Sequence, residues 1–238
     1  MNLDIGVFLK MPGESKHAFF SLPDQTNYEI AYGLAFRLAV EKLLGLPDIS
    51  AQCLKSESVC LVDNVSSTII LKYLGRTYQV SLPQVAIRFQ DSAEEVELRD
   101  KILILHYLIG AKGTPLSQRL IAFQELIEGA NYYPSFIKRA IKPLLDNFGT
   151  QPDKLLDLSK EMGGSKAEFG DFAVTIPAFA RIPITLVFWK GDSEFPPNAN
   201  VLFDSTILDY LSAEDVNVVC QTIAWRLVKS LKSQNTRP

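Results

Sequence analysis

Apolar residues recur at helical spacing over residues 26–46, where Tyr28, Ala31, Tyr32, Ala35, Ala39, Leu43 and Leu46 share one face. Ile30, Leu34 and Leu38 add a second apolar stripe, so the pattern predicts a helix covered on most sides. Thr26 with Glu29 reads as a capping box at its start, and Gly45 and Pro47 supply the stop. The period then changes. "SVCLV" (58–62), "TIILKYL" (68–74) and "TYQVSL" (77–82) are rich in β-branched and aromatic residues and predict a meander, with "VAIRF" (85–89) as a fourth strand. Asp63-Asn64 begins the first connection, and Gly75-Arg76 fits a two-residue hairpin turn.

A second capping box, Ser92 with Glu95, predicts a helix to about Gly110 that is charged in its first half and greasy in its second. "PLSQRLIAFQEL" (115–126) fits helix or strand. "PSFIKRAIKPLLDNF" (134–148) is helical, with Ile137, Ile141, Leu144, Leu145 and Phe148 on one face and Pro143 expected to kink or divide it. Thr150 is expected to cap a short helix through Met162, closed by Gly163-Gly164. Strands return at 171–179, at 182–189 (apolar on both faces, hence interior) and at 200–203. The last helix is capped by Ser212. Val216, Val219, Cys220, Ile223, Leu227 and Leu231 line one face, and Arg226, Lys229 and Lys232 sit near its negative end. The mixed order of elements predicts an α+β fold: antiparallel or mixed sheet structure packed against helices, as a single compact domain over 1–238. The helices at 26–46 and 212–232 are expected to cover the sheet.

Composition narrows the function classes. The 238 residues are 47% hydrophobic and 21% charged, with net charge −3, so the chain can bury a sizeable core and carries no electrostatic footprint for nucleic acid. The longest apolar run, "ILILHYLIGA", is too short to cross a bilayer, and "MNLDIGVFLK" lacks the basic start of a signal peptide. Cys53, Cys60 and Cys220 form neither a disulfide framework nor a zinc hook, which points to a reducing cytoplasm and to folding without metal or other cofactor. "GGSK" and "GAKGTP" follow helices rather than strands, so neither is a phosphate loop, and no G-x-S-x-G elbow occurs.

Candidate chemistry concentrates in "FWKGDSEFPPNANVLFD" (188–204). Trp189 ends a core strand, and Asp192 and Glu194 follow in a loop stiffened by Pro196-Pro197. Phe195 is expected to anchor that loop in the core. Asp192 also suits ordinary turn chemistry, and Asp204 suits the N-cap of a short following helix; Glu194 is least explained by local rules. His106 on an apolar helix reads as a core histidine with one partner or as a site residue. Tyr133 could line a pocket or pack as a staple.

"LHYLIGAKGTPLS", "FWKGDSEFPPNANVLFD" and "YLSAEDV" resemble the recurring segments of an uncharacterised prokaryotic domain-of-unknown-function family, over residues 27–231. The W-x-G-D-x-E-F-P run from Trp189 is the most specific part. Some relatives carry an added four-cysteine iron–sulfur domain similar to that of corrinoid iron–sulfur proteins. This chain lacks those cysteines, so no cluster is implied. The resemblance makes a corrinoid or redox protein a candidate partner. The leading reading is a cytoplasmic accessory protein that binds a small ligand, cofactor or partner near Trp189–Asp204. The alternatives are an enzyme using Asp192 or Glu194 as acid or base, with His106 brought close by folding, and a structural subunit of a homo-oligomer.

Overall fold

The computed structural model describes residues 25–63 and 66–235, with side chains described from Ile30 to Gln234. The Thr26–Glu29 capping box and the reading of the N-terminal decapeptide fall outside those side chains. Seven α-helices and nine strands are found among the described residues: α1 (Gln25–Leu44), α2 (Ile49–Lys55), β1 (Val59–Val62), β2 (Ser67–Tyr73), β3 (Arg76–Leu82), β4 (Ala86–Phe89), α3 (Leu98–Gly110), β5 (Leu120–Ala122), α4 (Gly129–Phe136), α5 (Lys142–Phe148), α6 (Lys154–Ser159), β6 (Ser165–Ala167), β7 (Phe172–Phe179), β8 (Ile182–Trp189), β9 (Asn198–Asp204) and α7 (Ala213–Asn235). The fold is α+β, with two wholly antiparallel sheets in the orders β1-β2-β3-β4 and β5-β9-β8-β7-β6.

The first sheet is the predicted meander. Its central hairpin turns at Leu74-Gly75, one residue earlier than expected, because Tyr73 pairs with Arg76. Leu74 and Gly75 both take positive φ (45° and 80°), the geometry that matches the strands' right-handed twist. A Cβ on Gly75 would collide with the carbonyl of Glu161, so glycine also permits the turn to pack against the 3-10 turn after α6. The amide of Leu74 donates to the Ala178 carbonyl at 2.9 Å and ties this hairpin to the second sheet. A stack of rings runs through the same junction: Tyr73 lies 4.7 Å from Phe179, and Phe179 lies 4.1 Å from Tyr107 of α3. One contiguous apolar core spans both sheets and the helices.

Helix α3 begins at Leu98, not at Ser92. Glu94 and Glu95 are drawn into salt bridges with Arg76 and Lys101, and the segment before Leu98 stays non-helical. The ambiguous stretch 115–126 divides into β5 and a 3-10 turn, Phe123–Glu125. The helix predicted at 134–148 starts earlier, at Gly129, and passes through a π turn, Ile137–Ile141, just before Pro143. Proline removes one backbone donor and crowds the carbonyl four residues back, and the wider π turn absorbs this without a break. It also rotates the face, so Ile137 is exposed while Ile141, Leu144 and Phe148 are buried. Helix α6 begins after Asp153, because Gln151–Asp153 form a turn rather than a cap from Thr150. Gly163 closes the 3-10 turn that follows α6 with φ 76°, as its position predicts.

The two long helices correct the expected layering. Helix α1 packs chiefly on α3 through Ala39 and Leu43, and Ile30, Leu34 and Leu38 are exposed. Among the described residues its second apolar stripe therefore lacks the cover that the pattern implied. Helix α7 is the spine of the helical layer: Val216, Val219, Ile223 and Leu227 are fully buried against α3 to α6 and the π turn rather than against one sheet. No helix among the described residues is long and apolar enough to cross a membrane.

Candidate functional site

The Trp189–Asp204 segment is a hairpin connection. Trp189 pairs with Asn198, so residues 190–197 form the loop between β8 and β9. Asp192 Oδ1 accepts from the amides of Glu194 and Phe195, both at 2.8 Å, and the Asp192 amide donates to the Phe195 carbonyl at 2.9 Å. Those amides hold its carboxyl below the usual carboxylate range. The tight turn swings Phe195 outward, where it is 67% exposed, so it does not anchor the loop. Pro197 takes that place, packed between Gly149 and Gly191, where an added Cβ would approach it to 3.3 Å and 2.7 Å. Glu194 is exposed, with no hydrogen bond or ion pair to another described side chain. Trp189 is 40% exposed. A shallow hollow of about 500 Å³ separates the loop from Gly149-Thr150.

The other three candidates lie elsewhere. Asp204, at the far end of β9 and roughly 20 Å along the strand from Asn198, is buried. It accepts from the amide and hydroxyl of Ser117 and of Thr206, and from the Gln118 amide, at 2.7–3.1 Å. Burial works against its charge, but the bonds from Thr206 and Ser117 outweigh it and lower its pKa. Asp204 thus clamps two chain segments and is not the expected N-cap, since the 3-10 turn that follows, Ile207–Asp209, starts from Thr206. Tyr133, on α4, is half-buried and packs on the core. His106, on α3, is bound to Asp215 rather than to either loop carboxylate, with Nδ1 2.8 Å from Asp215 Oδ1.

A cleft lies where the start of α3 faces the second half of α7. It measures about 920 Å³, and Glu97, Arg99, Asp100, Trp225, Arg226, Lys229 and Lys232 are among the residues that line it. Arg226 is its fixed point. Its guanidinium donates to Asp100 Oδ2 at 2.6 Å and sits 5.6 Å from the Tyr73 ring. The Tyr73 hydroxyl donates to the other oxygen of Asp100 at 3.3 Å. Asp100 is 5% exposed, and burial raises its pKa despite the opposing pull of Arg226 and of the Tyr73 bond. Arg226 is raised in turn: burial opposes its charge, and Asp100 more than compensates. Beside them the buried Tyr78 hydroxyl makes no hydrogen bond of standard geometry, though the Arg226 guanidinium stands close enough to interact with it. Trp225 stands 52% exposed at the rim. The same Arg226 borders a neighbouring hollow of about 560 Å³ that reaches Arg76 and Glu161.

Sequence reasoning placed Arg226, Lys229 and Lys232 as helix-end cations and passed over Asp100. The available signal was Asp100's phase. It lies three, four and seven residues before Leu103, Ile104 and Tyr107, on the greasy face of α3, where a carboxylate demands a buried cation.

A fourth cavity, of about 250 Å³, lies along the same α3–α7 seam, closed on one side by α1. Tyr32, Arg99, His106, Glu214 and Asp215 line it. Ser212 and Asp215 form a reciprocal cap: the Asp215 amide donates to Ser212 Oγ at 3.1 Å, and Asp215 Oδ2 accepts from the Ser212 hydroxyl at 2.6 Å and amide at 3.2 Å. Burial would raise Asp215, but bonds from His106 and Ser212 lower it on balance. Among the described residues no group of three or more His, Cys, Asp or Glu is placed to hold a metal ion.

No curated protein and no solved structure matches the chain. The match to a family model is internal to the span that the sequence resemblance suggested, and it runs from within α2 to Arg226 of the cleft. Over residues 54–226 the model is that described as "Domain of unknown function (DUF3786)", and the chain belongs to that family.

Proposed function

We propose that the protein is a binding or accessory module that takes an anionic small molecule with a flat apolar part in the α3–α7 cleft. One observation carries this reading: a cleft of about 920 Å³ whose cations outnumber its carboxylates, with an exposed tryptophan at the rim and an arginine held rigid at the base. Ligand sites combine apolar walls with a few fixed polar groups, and this cleft supplies both. Arg226 is oriented before any ligand arrives, so little ordering remains to be done on binding. Arg99 and Lys229 add positive charge, and Trp225 offers a face for stacking. The loop at 190–197 supports the role less well, because Asp192 is spent on its own turn and Glu194 faces solvent without a converging group. The three free thiols support a reducing, cytoplasmic setting.

The test uses 8-anilinonaphthalene-1-sulfonate, an anionic aromatic probe. Its fluorescence should rise saturably with the wild-type protein, and the affinity should fall with added salt. Trp225→Ala and Lys229→Glu should each weaken binding at least about fivefold, roughly 1 kcal/mol, with unchanged circular dichroism. Equal affinity in all three proteins would remove the cleft from consideration.

A further inference from the structure

His106 and Asp215 carry a second inference, beyond the binding role of the larger cleft. Three facts distinguish the pair from a core histidine with a chance partner. Both residues sit on rigid helices, α3 and the first turn of α7. The carboxylate is fixed from behind by the Ser212 hydroxyl and amide, so it presents Oδ1 to the ring in one direction. The ring keeps about a third of its surface exposed, on a cavity, while Asp215 is 14% exposed.

An ionised Asp215 sets the imidazole tautomer. Nδ1 carries the proton and donates it to Oδ1, which leaves the lone pair on Nε2. That is the arrangement of a base with its orienting group. The charged and titratable groups around the cavity are Tyr32 from α1, Arg99 from α3, and Glu214 and Asp215 from α7. Arg99, which also borders the larger cleft, is the cation in this lining that an anionic ligand would meet. Ala31, Ala35, Ile102, Leu103 and Val218 make the rest of the wall apolar. A volume of about 250 Å³ holds the equivalent of roughly eight waters, which suits a molecule of a few carbons.

We propose that His106 is a general base, positioned by Asp215, that removes a proton from a small carboxylate-bearing carbon acid such as a 2-oxo acid. The C–H bond next to the carbonyl breaks, and its proton forms the Nε2–H bond. The electron pair passes to the carbonyl oxygen as an enolate, and Arg99 balances the anionic charge. Asp215 stabilises the imidazolium, which returns a proton to carbon. No oxidant or reductant is consumed.

Pyruvate in heavy water is the probe, with loss of its methyl proton signal followed by NMR. The full chain should accelerate exchange at least tenfold over buffer. His106→Gln should abolish that acceleration. Asp215→Asn should lower it and displace its pH profile. Arg99→Gln should raise the pyruvate concentration needed while leaving the limiting rate nearer wild type. A second measurement does not depend on the folding of variants. Diethyl pyrocarbonate should acylate His106 in the native wild-type protein, read by peptide mass spectrometry against His17, and pyruvate should slow that reaction. Exchange at the buffer rate, exchange indifferent to His106→Gln, or a His106 that is acylated only after denaturation would each overturn the proposal and leave the pair a helix clamp. None of these outcomes bears on probe binding in the larger cleft.

Discussion

Replacing Arg226 with methionine isolates the energetics of the cleft. The change keeps much of the aliphatic stem and removes the guanidinium that contacts Asp100 at 2.6 Å. Asp100 then stays 5% exposed with one weak donor, the Tyr73 hydroxyl at 3.3 Å. Breaking a buried ion pair by removing one partner costs about 3–5 kcal/mol. The Arg226 side chain is 30% exposed, so water reaches that end of the pair; the low end of the range, about 3 kcal/mol, is expected at pH 7. For a chain of this size that is a drop in Tm of roughly 9 °C.

The pH dependence gives the argument its sign. Asp100 is already raised by burial, and the variant loses the cation that opposed the rise. A carboxyl whose folded pKa exceeds its unfolded value of about 3.9 favours folding in its protonated form. The penalty is absent below that value and grows as pH rises towards the raised folded value. Urea denaturation at pH 7 and at pH 4 should therefore show the gap between wild type and variant narrowing at the lower pH. The double variant Asp100→Leu/Arg226→Met should recover most of the loss, since no charge then remains buried. An equal loss at both pH values, or a double variant no more stable than the single one, would refute the reasoning.

Asp204→Asn should cost about 2–3 kcal/mol at pH 7, because an amide cannot accept all five donors that meet the carboxylate. Its folded pKa is lowered, so the wild-type advantage is present above the ordinary carboxyl range and lost as pH falls through the lowered value; denaturation at pH 7 and pH 3 should show the two proteins converging. Tyr78→Phe removes a buried hydroxyl that makes no hydrogen bond of standard geometry but lies by the Arg226 guanidinium, and should change stability by no more than about 1 kcal/mol; a larger loss in thermal denaturation would mean that the hydroxyl bonds firmly to Arg226.

Periodicity alone determined the elements whose stability is local. The meander, the interior strand β8, α1 and the capped start of α7 are readable because alternation, helical phase and a Ser-x-x-Asp cap act over a few residues. The turn at Asp192 was equally legible, since an Asx side chain bonds to its own following amides. Neighbouring residues did not decide where those elements meet. The π turn before Pro143 and the outward Phe195 follow from competition between local bonding and packing, which the hydrophobic pattern does not encode. The pairs that define the cavities are separated by 126 residues in one case and 109 in the other. Asp100 and Arg226 meet, as do His106 and Asp215, only because α3 and α7 lie side by side. A buried charge requires a partner, and only tertiary packing selects which one.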